Sequence, residues 1–206
     1  MQDCMNVLIG CEFSGIVREA FRERGHNAYS CDLLPTERPS KYHYQENVLD
    51  VVSKRPWDLF IAHPPCTYLS YAATRSWNNP GRAELREHAL QFFLAVYHAP
   101  VNMVAIENPV GYPNTVFRKP DQIFHPYYFG DPFKKRTCLW LRGLPKLIYM
   151  SNLVEPPPVA FYKKGKSKGK AIHWSGAMPP GPNRAHNRSR TFLGLATAMA
   201  EQWGSL

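Results

Sequence analysis

The sequence predicts an α/β domain built on a mostly parallel, doubly wound sheet that is covered by helices on both faces. Two observations lead to this prediction. Through the first 141 residues, short apolar segments alternate with segments whose apolar residues recur at helical spacing. Glycine or polar residues directly follow the apolar segments, as is typical where parallel strands reach the ligand-binding edge of a sheet. A length of 206 residues fits one domain, so residues 1–206 are expected to form a single unit.

The predicted elements follow in chain order. The first strand covers residues 5–9 and ends at Gly10, and a helix over residues 16–24 presents one apolar face before stopping at Gly25. Further strands are predicted over residues 28–31, 57–62, 103–107 and 137–141, and further helices over residues 82–98 and 193–203.

A basic, proline-rich segment from about residue 143 to 190 is predicted to form an irregular arm rather than a second domain. The chain carries 25 Lys and Arg against 16 Asp and Glu, which gives a net charge of +9. No acidic residue occurs between residues 156 and 200, where eight of the basic residues stand. Clustered Lys and Arg bind phosphates, so the arm is predicted to bind nucleic acid, with duplex DNA as the expected partner. The alternative is a solvated loop. The predicted contacts are Lys163, Lys164, Lys166, Lys168, Lys170, Arg184 and Arg188.

Several other classes of protein do not fit the composition. Hydrophobic residues make up 44% of the chain and charged residues 20%, which argues against disorder. No apolar run approaches the roughly 18 residues of a membrane-spanning helix, and the N-terminus lacks the pattern of a signal peptide. The five cysteines are scattered and form no CxxC pair, which argues against a disulfide framework and a structural zinc site. A cytoplasmic protein with no metal is expected, and its oligomeric state stays open.

Two side chains carry the predicted chemistry. Cys66 follows two prolines directly after a predicted strand, so its thiol is expected on a rigid turn near a basic surface, where it could act as a thiolate nucleophile. A buried structural cysteine is the alternative. Glu107 ends the apolar segment MVAI at the same edge, and desolvation there is expected to raise its pKa and make it a proton donor. For Glu107 the alternative is a capping or salt-bridging role.

These residues stand in motifs that resemble a known family. HPPCTYLS, IENPVG and the opening IGCEFSGIVREAFRERGHNAYSCDLLP are similar to the DNA cytosine carbon-5 methyltransferases, in the compact form that bacteriophages often carry. The resemblance covers most of residues 5–141 and returns at RSRTFLGLATAMAEQW. It implies a Rossmann-like methyltransferase fold, S-adenosylmethionine as cofactor, and a bacterial or phage-infected host cytoplasm as the compartment.

The resemblance also implies residue roles. Cys66 would attack carbon 6 of a flipped-out cytosine, Glu107 would engage ring nitrogen 3, and Lys135 or Arg136 would lie near the cytosine carbonyl. The carbon-5 position would then receive the methyl group. The residues that would contact the cofactor are Phe13, Ser14, Gly15, Asp32, Asn47, Asp50, Pro64 and Thr191.

The chain departs from the family pattern at several positions. Val17 and Arg18 follow the first turn where more glycine is usual, Asn47 stands in place of an aspartate, and His63 precedes the prolines where glycine is usual. Only the arm is available for target recognition. Two alternatives therefore stay open: the same Cys–Glu chemistry on RNA, on a free nucleotide or with another transferred group, and a catalytically weak DNA-binding decoy. Aromatic residues that could contact an extruded base are Tyr68, Tyr71, Trp77, Phe161, Tyr162 and Trp174.

Overall fold

The protein is described by a computed structural model that covers residues 3–179, 181 and 184–206. The strands in this part of the chain are Asn6–Gly10 (β1), Asn27–Cys31 (β2), His43–Tyr44 (β3), Leu59–Ala62 (β4), Met103–Pro109 (β5), Gln122–Phe124 (β6), Thr137–Arg142 (β7), Ala160–Phe161 (β8) and Ala171–Ile172 (β9). The α-helices are Ile16–Arg22 (α1), Val48–Val51 (α2), Arg82–Tyr97 (α3), Pro113–Val116 (α4), Trp174–Ala177 (α5), Arg184–Ser189 (α6) and Leu193–Trp203 (α7). Short 3₁₀ turns occupy Tyr71–Ser76, Pro126–Phe129 and Gly165–Ser167.

Seven strands form one mixed sheet in the order β3-β2-β1-β4-β5-β7-β6. The first five strands of this order pair in parallel, whereas β7 is antiparallel to both β5 and β6. The order 3-2-1-4-5 is that of a doubly wound sheet, in which the strand order reverses beside β1 and ligands bind beyond the carboxyl ends of the strands. The predicted α/β class with a mostly parallel sheet is confirmed.

Side chains of the central strands alternate between two hydrophobic cores. Val7 and Ile9 of β1 lie in the core that α1 and α7 cover, while Leu8 lies in the core that α2 and α3 cover. Both faces of the sheet are therefore buried under helices, as predicted. Burial on both faces also explains why these strands read as continuous apolar runs in the sequence.

Two strands of the main sheet lie outside the predicted elements. β3 has only two residues, both half-buried, and such a length cannot show a period of two. β6 includes Gln122, a polar residue that is buried because its side chain exchanges hydrogen bonds with the backbone of Leu147, at 2.9 Å from the Leu147 nitrogen and 2.7 Å to its carbonyl. Burial of a hydrogen-bonded amide costs little free energy. The partner, Leu147, is 25 residues away along the chain, so the local sequence does not indicate that Gln122 is buried.

The prediction of an irregular arm is wrong in part. β8 and β9 pair as an antiparallel hairpin, and α5 and α6 follow it. Five lysines stand on or between these two strands, in the segment 160–172, which we call the lysine hairpin. Glycines at 165 and 169 adopt positive φ angles of 75° and 82° and supply the tight turns between the strands.

None of the helices in the described part of the chain has the length and apolar character that crossing a bilayer requires.

Candidate active site at the carboxyl edge of the sheet

Cys66 lies on a short, anchored loop that begins where β4 ends. The buried side-chain amide of Asn108 donates a hydrogen bond of 2.7 Å to the carbonyl of Pro64. After the prolines, the backbone nitrogens of Leu69 and Ser70 both donate to the Cys66 carbonyl, at 3.1 and 2.9 Å. The loop is thus held on both sides of Cys66, which is itself an exposed residue. Pro64, one of the predicted cofactor contacts, is buried, and its carbonyl is already paired with Asn108.

Glu107 lies beside this loop because of the strand register. Ala62 of β4 pairs with Ile106 of β5, so the next residues along the two parallel strands, His63 and Glu107, are neighbours. His63 Nδ1 lies 3.3 Å from Glu107 Oε2. The carboxylate side chain is only 15% exposed. His63 is a departure from the family pattern, and the sequence-based prediction assigns it no role in the site.

Lys135 reaches the same carboxylate from the opposite direction. Because β7 is antiparallel to β5, its first residue, Thr137, pairs with Pro109 at the end of β5. The residues just before β7 therefore lie at the same edge of the sheet as Glu107. Lys135 Nζ therefore lies 4.0 Å from Glu107 Oε1. Arg136 is exposed, and no contact among the described residues joins it to Cys66 or Glu107. Of the two basic residues predicted here, Lys135 alone meets the carboxylate.

The electrostatics of Glu107 correct the sequence prediction. Burial does push the pKa of this carboxyl upward, as expected from the apolar strand. The positive charge of Lys135 and the hydrogen bond from His63 outweigh burial, and the pKa of Glu107 ends below its ordinary value. The group is therefore an ionised carboxylate at neutral pH and not the predicted proton donor.

Cys66 also differs from the predicted resting thiolate. Although part of Cys66 is exposed at the surface, the surrounding protein removes hydration from the thiol and raises its pKa, and the negative charge of Glu107 raises the pKa further. The charges of Lys135 and Arg188 act in the opposite direction without overcoming these effects. The resting site holds a thiol beside a carboxylate, with Lys135 near both.

The turn between β1 and α1 forms the other half of the edge. Gly15 has a left-handed φ of 69°, and its Ser14 neighbour is buried with its hydroxyl 3.4 Å from Glu12 Oε1. Glu12 Oε1 accepts from the Val17 nitrogen at 2.6 Å, and Oε2 accepts from the Arg18 nitrogen at 3.3 Å. A buried carboxylate therefore takes the free N–H groups at the start of α1.

Buried Arg18 fixes the chain that follows β2. Its guanidinium donates to Ser30 Oγ at 2.7 Å and to the Arg38 carbonyl at 3.0 Å. A side chain at Gly15 would come within 2.6 Å of this guanidinium. Glycine is thus required at 15 both for the turn and for the arginine.

The remaining predicted cofactor contacts are spread along this edge. Asp32 follows β2; its Oδ1 accepts from the Leu34 nitrogen at 2.9 Å, and no described residue donates to its Oδ2. Asn47 serves as the N-cap of α2, accepting from the Leu49 nitrogen at 3.0 Å, and Asp50 is exposed on that helix. Thr191 is half-buried two residues before α7. No contact among the described residues joins Asn47, Asp50 or Thr191 to the Phe13 turn.

The arm divides into two parts with different environments. All five lysines of the lysine hairpin lie at the surface. In contrast, α6 packs against the β1–α1 turn: the ring of His186 stacks on Phe13 with 4.3 Å between centroids, and its Nε2 lies 2.6 Å from Glu37 Oε1. Arg190, just after α6, donates to the same oxygen. No local sequence pattern indicates this packing, since the partners are about 150 residues apart.

The other two arginines of the arm, Arg184 and Arg188, lie in different environments, and so do its aromatic residues. Arg188 acts electrostatically on Cys66, whereas Arg184 is half-buried with a buried Nε that has no partner among the described residues. Phe161 and Tyr162 on the lysine hairpin are exposed, but Trp174 packs against Phe133 at 4.7 Å between centroids. Trp174 is therefore part of the core margin and not of an open surface.

No protein-family model matches the chain, and no curated protein matches it significantly. Within residues 3–179, 181 and 184–206, no group of three or more His, Cys, Asp or Glu side chains is placed to hold a metal ion, and the five cysteines are free thiols.

Proposed function

We propose that this protein is an S-adenosylmethionine-dependent DNA methyltransferase that modifies carbon 5 of cytosine through a covalent bond to Cys66. The observation that carries the proposal is the meeting of Cys66, Glu107 and Lys135 at the ends of β4, β5 and β7. A nucleophile, a carboxylate and a cation at one ligand-binding edge are the groups that addition to an electron-poor ring requires.

The chemistry follows from these positions. The Cys66 thiol would give its proton to water, and the sulfur would then form a bond to carbon 6 of the ring while the electron pair of the 5,6 double bond moves toward carbon 5 and nitrogen 3. Glu107 would accept a hydrogen bond from the exocyclic amino group and, once it has taken up a proton, would share that proton with nitrogen 3, while Lys135 would offset negative charge as it develops. Carbon 5 would take the methyl group from the sulfonium sulfur, which would keep the bonding electron pair as a thioether. Water would then take the proton from carbon 5, the 5,6 double bond would re-form, and the sulfur–carbon 6 bond would break, returning its electron pair to Cys66.

The turn after β1 fits a nucleoside cofactor without a pyrophosphate. In dinucleotide-binding sheets the pyrophosphate occupies the N-terminus of the first helix. Here Glu12 already accepts the N–H groups of Val17 and Arg18, so these donors are not available to a phosphate. Asp32 Oδ2, to which no described residue donates, is suited to a ribose hydroxyl, whereas Phe13 is buried under the ring of His186. S-adenosylmethionine, when bound, supplies an electrophilic methyl group and carries no phosphate.

Duplex DNA is the proposed substrate. The lysine hairpin offers exposed positive charge without a neutralising acidic residue, which suits sequence-independent phosphate contacts. The target base would have to leave the stack to reach Cys66.

One assay tests the proposal directly. The protein is incubated with unmethylated duplex DNA and methyl-labelled S-adenosylmethionine, and the DNA is digested to nucleosides. We expect labelled 5-methylcytosine from the wild type and from Cys4→Ala, an exposed-cysteine control, and none from Cys66→Ala. Label found only in the cytosines of RNA would show that RNA, and not DNA, is the substrate. Binding of DNA without methyl transfer to any nucleic acid would point to a decoy.

A further inference from the structure

The proposed reaction leaves one buried group at the centre of the site without a role. The His63 side chain is 6% exposed, and its Nδ1 lies 3.3 Å from Glu107 Oε2. Its other ring nitrogen, Nε2, is buried and has no hydrogen-bond partner among the described residues. An unpaired buried polar atom costs about 1–3 kcal/mol of stability, so a histidine here needs an explanation beyond packing.

The order of the strands places His63 between two buried carboxylates. β4 lies between β1 and β5 in the sheet, so the residue after β4 stands between Glu12, which follows β1, and Glu107 of β5. Burial holds the pKa of Glu12 above its ordinary value, and the charge of His63 acts against that effect; at Glu107, Lys135 and His63 together outweigh burial. His63 is thus the link between the turn after β1 and the carboxylate beside Cys66.

We propose that His63 is a positioning residue: its Nδ1–H holds Oε2 of Glu107 so that Oε1, on the Lys135 side, is presented to the substrate ring. An ionised carboxylate can only accept hydrogen bonds, so Nδ1 must be the donor whether the ring is neutral or charged. The two oxygens of Glu107 then have separate tasks, one anchored by His63 and the other left for the base. This inference rests on the proposed function for the identity of the ring, but the contact between His63 and Glu107 does not.

The first experiment measures that contact without any activity. The carboxyl carbons of the glutamates are labelled with ¹³C, and the Glu107 signal is assigned by its loss in Glu107→Gln. We expect Glu107 to titrate at higher pH in His63→Ala than in the wild type, because the interaction with His63 that lowers the pKa of Glu107 is removed. Glu12, Lys135 and Cys66 are the other titratable groups that face this pair, and all remain in the variant. An unchanged Glu107 titration would overturn the inference.

The second experiment measures positioning. DNA that contains 5-fluorocytosine should trap the protein at Cys66, and the single-turnover rate of this adduct reports ring attack. We expect His63→Ala to be about 10- to 100-fold slower, since small misplacements of a reacting group have effects of this size. His63→Asn keeps an N–H donor close to the position of Nδ1 and should recover most of the lost rate.

A matched control and the failure outcomes complete the design. His88→Ala, an exposed histidine of α3, should match the wild type in both experiments. If His63→Ala and His63→Asn form the adduct equally slowly, donation from Nδ1 is not the role of His63 and the inference fails. If the wild type forms no adduct, the proposed function fails, and the ¹³C titration alone decides the inference; His63→Asn serves in the titration should His63→Ala not fold.

Discussion

Lys135 should stabilise the folded protein through Glu107, and the coupling between them can be isolated. The two charged groups lie 4.0 Å apart, and their side chains are only 21% and 15% exposed. Lys135→Met removes the charge but keeps an unbranched apolar side chain, which retains packing near Phe192, whose ring centre is 5.6 Å from Nζ. Glu107→Gln removes the opposite charge with little change in shape. The two single variants and the double variant form a cycle with the wild type.

The size of the coupling follows from the distance. Two unit charges 4 Å apart attract by about 4 kcal/mol at an effective dielectric constant near 20. Two features of the site reduce this value: His63 also stabilises the Glu107 charge, and Glu107 can take up a proton once Lys135 is gone. We therefore expect a coupling free energy of about 1–3 kcal/mol at neutral pH.

The pH dependence has a definite sign. The pKa of Glu107 is lower in the folded protein than in the unfolded chain, so its charge contributes stability above the unfolded value. That contribution is lost as pH falls through the folded pKa, and the coupling to Lys135 should vanish with it. Urea unfolding of the four proteins at neutral pH and at a series of lower pH values measures both effects.

The adjacent lysine supplies the control. Lys134 pairs with Glu155, whose side chain is 52% exposed, and surface pairs of this kind contribute about 0–1 kcal/mol. The corresponding cycle with Lys134→Met and Glu155→Gln should give a smaller coupling free energy than the Lys135–Glu107 cycle. A Lys135–Glu107 coupling no larger than that of the Lys134 pair, or one that persists in acid, would refute the assignment of Glu107 as an ionised, cation-stabilised carboxylate.

Three further predictions concern the loop, the nucleophile and the arm. Asn108→Ala should lower the free energy of unfolding by about 1–3 kcal/mol, because it leaves the Pro64 carbonyl without its donor, and should slow adduct formation; an unchanged urea midpoint would contradict this. Adduct formation at Cys66 should accelerate as pH rises above neutral, because the raised pKa makes thiolate scarce at rest, and a flat profile would exclude that explanation. Replacing the five lysines of the lysine hairpin by serine should lower the slope of log affinity against log salt for duplex DNA by about 0.9 for each phosphate that the protein no longer neutralises, whereas an unchanged slope would show a solvated loop.

The long elements of the fold could be predicted because their signals are local. Strands buried on both faces, such as β1 and β4, are continuous apolar segments, and the predicted bounds of α7 match the observed ones. The two-residue strands β3, β8 and β9 are too short to show a comparable apolar pattern in the sequence. The antiparallel direction of β7 depends on the connection through β6, which the local sequence does not specify.

The site was predictable to the extent that strand ends define it. Cys66 and Glu107 each follow or end an apolar run, so their meeting at one edge could be expected from topology. The same reasoning could have found His63, which stands directly after β4 in register with Glu107. The direction of the Glu107 pKa could not be found in this way, because the decisive partners come from two other strands and the local apolar context points in the wrong direction.

The resting protonation states set what the proposed reaction must accomplish. Cys66 rests as a thiol and Glu107 as a carboxylate, whereas ring attack needs a thiolate and a proton shared with nitrogen 3. A base that enters the site removes water from both groups, which favours a protonated Glu107 but opposes ionisation of Cys66. Cations near the sulfur must offset that second effect, and they are Lys135 on the sheet and Arg188 on α6. Because α6 rests on the Phe13 turn, the arm would contribute to activation of the nucleophile in the proposed reaction as well as to the proposed binding of DNA.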